Sequence, residues 1–219
     1  RRVAQRYPLR AAITCDDVTW TYAELQARIE AMAVVLAERG VQVGDRVGYL
    51  GFNDPHFLVM LFAAARLNAI FVPLNFRLTG PEIAFIAEDA GVSLLLVDAH
   101  HRPVIDGVRS QLTCQRYLSV DGAADGWEVL PAGDVSSVSV PPEVQVQPDE
   151  VALIMYTSGT TGHPKGAMLT HQNVVANTLG QRAVQALGLK ATKEAKLNLM
   201  PRLESAMGAH VFKLLMDEG

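Results

Sequence analysis

From Thr157 to Gly166 the chain reads Thr-Ser-Gly-Thr-Thr-Gly-His-Pro-Lys-Gly, a stretch of hydroxyls, glycines and one lysine with nothing that can pack a core. Glycines let the backbone turn its N–H groups toward an anion, hydroxyls donate further hydrogen bonds, and a lysine adds a mobile positive charge. The chemistry such a set performs is the cradling of phosphate. Two better-known phosphate motifs fail on spacing, because the sequence contains neither Gly-x-x-x-x-Gly-Lys-Ser/Thr nor Gly-x-Gly-x-x-Gly. The competing reading is a flexible Ser/Thr/Gly linker. Against it, the stretch directly follows the apolar run Val151 to Tyr156 and leaves through an ordered Pro164-Lys165-Gly166.

The elements that must position this loop are legible from periodicity and punctuation. Val151 to Tyr156 is continuous apolar sequence of the kind buried on both faces of a sheet. Upstream, Ile13 and Val18 to Trp20 flank Asp16-Asp17 and predict a hairpin. Thr21-Tyr22-Ala23-Glu24 has capping-box spacing and opens a helix running to Gly40. A strand over Arg46 to Leu50 follows, then a helix opened by Asn53-Asp54-Pro55 and ending near Leu67. Asn68 stands where that helix gives way to the strand Ala69 to Pro73, a place that asks for positive φ. Thr79-Gly80-Pro81-Glu82 opens a helix ending at Gly91, and the strand Ser93 to Asp98 comes next. A further helix to about Leu112, a strand near Tyr117 to Val120 and an irregular connection from Asp121 to Asp149 complete the reading. Helices alternating with short apolar runs predict an α/β domain.

Composition bounds the function. Nineteen Lys and Arg against 23 Asp and Glu leave a net charge of −4, which offers no basic excess for nucleic acid. Apolar residues at 49% and charged residues at 19% of 219 residues exclude disordered and fibrous classes. The longest apolar run, Phe57 to Ala65, is closed by Arg66 at roughly half the length of a transmembrane helix, so no membrane span is predicted. Two cysteines far apart, Cys15 and Cys114, rule out a disulfide framework and fit a reducing cytoplasm. They read as small buried or half-buried residues rather than nucleophiles. His100-His101 read as a polar helix cap rather than a metal site, the aromatics and methionine from Phe57 to Phe62 as core, and Arg1, Arg2 and Arg6 as a solvated helix face.

The stretch from Tyr156 to Gly166 resembles the signature of the adenylate-forming superfamily, which holds acyl-CoA synthetases, firefly-luciferase-like enzymes and peptide-synthetase adenylation domains. Every specified position of that signature is matched, His163 falling at its variable one. Thr21 to Leu25, Gly44 to Val47, Phe71 to Asn75 with Arg77-Leu78, and Thr170-His171 with Asn173 resemble the family as well. Pro73 to Leu78 with Glu82-Ile83 is similar to the acyl-CoA synthetase branch.

The resemblance implies layered sheets and helices and a two-step reaction. The family first joins a carboxylate to the α-phosphorus of ATP, releasing pyrophosphate, and the thiol of CoA then displaces AMP. Catalysis of the first step is mostly positioning and electrostatic stabilisation of the departing oxygens. By resemblance Thr157, Ser158, Gly159, Thr160, Thr161, Gly162 and Lys165 hold the β and γ phosphates, with Thr161 and Lys165 as catalytic residues, Mg²⁺ as counter-charge, and a carboxylic acid, fatty acids foremost, as substrate. His163 reads as solvated and not a base.

Residues 1–219 are expected to be the first part of the large N-terminal domain, with both ends cut and the C-terminal domain absent. The family's adenine, ribose and acidic Mg²⁺ motifs and its C-terminal catalytic lysine lie further along, so no metal ligand is assigned. Arg202-Leu203-Glu204 stand where the family commonly has an apolar residue, an aromatic and a histidine. An acidic residue there would repel a carboxylate substrate. Two other readings stand beside the leading one: a non-catalytic nucleotide-binding fragment, and an adenylating domain that loads a carrier protein.

Overall fold

The computed structural model describes residues 2–130, 141–142, 144–157 and 163–186. A short helix α1 (Arg2–Arg6) precedes a hairpin of β1 (Ala11–Cys15) and β2 (Val18–Thr21), whose turn places Asp16 at φ 50°. There follow α2 (Tyr22–Glu38), β3 (Arg46–Leu50), α3 (Pro55–Arg66), β4 (Ile70–Leu74), α4 (Gly80–Ala90), β5 (Val92–Val97), α5 (Arg102–Asp106) and β6 (Arg116–Ser119). Beyond them come β7 (Glu128–Val129), β8 (Val151–Thr157), β9 (Lys165–Thr170) and α6 (His171–Ala186).

The main sheet has the order β7-β6-β5-β3-β4-β8-β9 and is parallel except for the antiparallel pair β8–β9. Side chains along β3, β4, β5 and β6 alternate sides, so each of these strands contributes to two cores. Val47, Tyr49, Phe71, Leu94 and Leu96 face the α2 and α3 side with Met32, Leu36, Phe57 and Met60. Leu50, Val72, Leu95 and Val97 face the α4 and α5 side with Ile83, Ile86 and Ile105. Removing each such side chain from water contributes roughly 1.5–3 kcal/mol, and covering both faces is what a parallel sheet requires.

The expected punctuation acts as read. Thr21 caps α2 with a reciprocal Thr21–Glu24 box, Asp54 caps α3 by accepting from the His56 N–H, and Gly91 closes α4 in the left-handed region. Asn68, at φ 53°, turns α3 into β4 and donates through Nδ2 to Glu150 Oε2 at 3.0 Å.

Three local expectations are corrected. The helix read to Leu112 stops at Asp106 and resumes as a 3-10 turn over Arg109–Gln111, with Gly107 as the C-cap between them. The connection read as irregular from Asp121 carries β7 on the sheet edge, anchored by Arg39 on Glu128 at 2.7 Å. Phe62, read as core, is 43% exposed on the outer side of α3, while Phe57 and Met60 are buried. Both cysteines are free, Cys114 buried and Cys15 half-buried.

Candidate functional site

The loop singled out in the sequence is the connection of a β-hairpin. β8 runs parallel to β4 into the loop and β9 returns antiparallel from it, with Tyr156 opposite Gly166 and Thr157 opposite Lys165 at the last rung. The structure therefore brings Thr157 and Lys165 together as cross-strand partners, both exposed, at the two stems of the loop. Ser158, Gly159, Thr160, Thr161 and Gly162 lie outside the described residues. So do Glu204 and the rest of the stretch from 187 to 219.

Gly166 has a packing reason to be glycine. A Cβ built there would stand 2.9 Å from Ile154 Cγ2 and 3.0 Å from Tyr156 Cζ, closer than real Cβ contacts allow. The bare backbone lets the Tyr156 ring lie against β9, and its hydroxyl reaches α4, donating to Asp89 Oδ2 at 2.5 Å. Burial, and after it this hydrogen bond, holds the Tyr156 hydroxyl well above the usual phenol range. On the other stem His163 is exposed, as expected, and its ring stacks on Phe85 of α4 at 5.3 Å between centroids and 29° between planes. Neither contact to α4 was read from the sequence, and no spacing rule connects positions so far apart in the chain.

β8 points the loop to the carboxyl edge of the parallel strands, the edge where open α/β sheets hold ligands at the place where strand order reverses. That reversal is at β3, flanked by β4 on one side and β5 on the other. Around it Asp98, at the end of β5, is buried and saturated. Oδ2 accepts from the Phe52 N–H at 2.9 Å, while Oδ1 accepts from the His101 N–H at 2.8 Å and meets His101 Nδ1 at 2.7 Å. His101 is thus a buried partner of Asp98 at the N-cap of α5, and the cap reading of His100-His101 holds for this residue in position though not in polarity of its surroundings. Phe52, Phe76 and His100 gather beside it.

Among the described residues no three His, Cys, Asp or Glu side chains converge on one point. Those residues do not by themselves form a Mg²⁺ site. No helix among them is long and apolar enough to cross a membrane.

A largely parallel sheet with helices on both faces, and with the stems Thr157 and Lys165 at its carboxyl edge, defines an open α/β domain, a class that holds ligands at that edge. Residues 1–203 match the AMP-binding enzyme family, and the chain belongs to that family.

It is 41% identical over 177 residues to a feruloyl-CoA synthase of an Amycolatopsis species, an alignment covering 80% of this chain and 33% of that protein. It is 32% identical over 173 residues to the fatty acid–[acyl-carrier-protein] ligase ScoC of Streptomyces coeruleorubidus, covering 79% and 32% respectively. Among solved structures it superposes on a Mycobacterium tuberculosis fatty acyl CoA synthetase with a TM-score of 0.70 and 33% identity, over 82% of this chain and 36% of that one. The chain spans about a third of the length of the curated relatives it matches, in their N-terminal part. The superfamily and fold expected from the signature are thereby borne out.

Proposed function

We propose that residues 1–219 form the N-terminal part of the large domain of an AMP-forming acyl-CoA ligase, whose remaining large-domain and C-terminal segments belong to a longer protein. The enzyme activates a carboxylic acid in two steps. A carboxylate oxygen attacks the α-phosphorus of ATP, the bond to the bridging oxygen breaks, and pyrophosphate departs. The thiol of CoA then attacks the acyl carbonyl and AMP departs. The observation that carries this reading is the loop signature held between the Thr157 and Lys165 stems at the carboxyl edge of the sheet.

In this reading the backbone N–H groups and hydroxyls of Thr157, Ser158, Gly159, Thr160, Thr161 and Gly162 hold the β and γ phosphates. Lys165 supplies a positive charge where pyrophosphate accumulates negative charge. Mg²⁺ would supply further counter-charge, from ligands outside the residues described. Thr161 and Lys165 are the catalytic residues, because what they stabilise is stronger in the transition state than in bound ATP. The acid is a fatty or aromatic one, kinds carried by the names of the feruloyl-CoA synthase and of the fatty acyl CoA synthetase to which the chain is similar. Two free cysteines and a net charge of −4 support a reducing cytoplasmic setting with no nucleic-acid partner.

The test is acid-dependent ATP–pyrophosphate exchange by the full-length enzyme across fatty and cinnamic-type acids. Lys165→Ala and Thr161→Ala are each expected to lower the exchange rate by about 10²–10³-fold with little change in KM for the acid. Unchanged exchange in both variants would sink the assignment of the loop. The similarity to a carrier-protein ligase favours one second reading, in which the acyl group passes to a pantetheine thiol on a carrier domain. Comparing free CoA with a loaded carrier as acceptor separates the two.

A further inference from the structure

We infer that Phe85 and Asp89 of α4 are positioning residues that grip the two stems of the phosphate loop from one helix face. The inference rests on the reading of Thr157 to Lys165 as the loop that holds the pyrophosphate end of ATP.

Phe85 and Asp89 are four residues apart and so lie on the same face of α4. Ile83, Ala84, Ile86 and Ala87 point into the sheet, which leaves Glu82, Phe85 and Asp89 on the outer stripe. An aromatic ring there has no core to fill, and Phe85 is 37% exposed. Its partner is the ring of His163, next to Gly162 on the returning stem. One turn further along α4, Asp89 takes the hydroxyl of Tyr156, two residues ahead of Ser158 on the outgoing stem.

The loop's boundaries are therefore tied to a helix that is itself fixed, by a capping box at Thr79 and a left-handed Gly91 at its ends and by Ile83 and Ile86 in the core. Holding both ends of a glycine-rich loop removes backbone freedom before the ligand arrives, which lowers the ordering cost of binding. Gly166 serves the same end, since it is the absence of a side chain there that lets Tyr156 reach across to α4. Phe85 and Asp89 touch no substrate in this arrangement and act through His163 and Tyr156.

The experiment uses the full-length enzyme and measures equilibrium binding of ATP and of AMP alongside pyrophosphate exchange. Tyr156→Phe, Asp89→Ala and Phe85→Ala are expected to weaken ATP binding and raise KM for ATP by about three- to tenfold. AMP, which lacks the β and γ phosphates, binds unchanged, and KM for the acid is unmoved. The pair Tyr156→Phe with Asp89→Ala is no worse than the poorer single variant. Asp89→Asn, whose amide oxygen still accepts, and Phe85→Tyr, which still stacks, restore most of the ATP affinity.

Equal loss of ATP and AMP affinity together with a lower Tm would overturn the inference, as would Asp89 and Phe85 variants that bind ATP normally while Lys165→Ala loses pyrophosphate exchange. Unchanged exchange by Lys165→Ala and Thr161→Ala would overturn the loop reading itself.

Discussion

Single positions at the loop stems have their identity set by what faces them across the hairpin. Gly166 is opposite Tyr156, and the room a Cβ would need is occupied by the Tyr156 ring and by Ile154 Cγ2, neither of them the free end of a flexible chain. Gly166→Ala is expected to push the ring off β9 and to cost about 1–3 kcal/mol in urea unfolding. The change should also lower the exchange rate through the lost Tyr156–Asp89 bond, and a variant as stable and active as the parent would show that the ring has somewhere else to go. Asp98 illustrates the opposite case, a buried carboxylate that remains because its lone pairs are used, by the Phe52 and His101 N–H groups and the His101 ring.

At the scale of elements, three helices start in the same way. Glu24 Oε2 accepts from the Thr21 N–H at 2.7 Å, and Glu82 Oε2 accepts from the Thr79 N–H at 2.8 Å and from the Thr79 hydroxyl at 2.7 Å. These backbone bonds, and after them the threonine hydroxyls, hold both glutamates below the ordinary carboxylate range. α6 uses Asn173, which accepts from the Thr170 N–H and hydroxyl, each at 3.0 Å, and carries no charge.

A carboxylate whose pKa is lower folded than unfolded stabilises above its unfolded value, here near 4.5, and loses that contribution as pH falls through the folded value. Thermal stability is thus expected to decline below about pH 4.5. Glu24→Gln and Glu82→Gln should flatten that decline, while Asn173→Asp should steepen it. Identical pH profiles for parent and variants would remove the caps as its cause.

For the molecule as a whole, the sheet has two unlike margins. At one end β7 is two residues long, and a short strand is a poor template for pairing. At the other, β9 is six residues long with no partner on its outer side among the described residues, Met168 on it is 68% exposed, and Val175 of the adjoining α6 is 56% exposed. An apolar margin of this kind invites pairing with another chain. A polypeptide of residues 1–219 made by itself is expected to self-associate in sedimentation velocity, and Met168→Lys to shift it toward monomer. A parent polypeptide that stays monomeric at high concentration would show the margin is covered from within.

The sequence by itself determined the elements and the class of chemistry. Capping boxes, Asp54-Pro55, Asn68 and Gly91 work through bonds and dihedrals within a few residues, so the starts and stops they set were legible without the fold. The loop was singled out for a different reason, its hydroxyls, glycines and lysine having no core to serve, and the family that its signature resembles is the one the chain belongs to. Strand β9 was not, because its Lys-Gly start carries little strand propensity and its register is supplied by β8. The two-residue β7 was hidden likewise, held by its neighbour β6 and the Arg39–Glu128 pair.

Only the tertiary structure decided that β8 enters beside β4 and that α4 stands next to both stems of the loop. Contacts such as Asp89 to Tyr156 and Phe85 to His163 join positions separated by the strands β5, β6 and β7, the helix α5 and a long connection. Their geometry comes from how the sheet packs its helices, and no local pattern of residues encodes it.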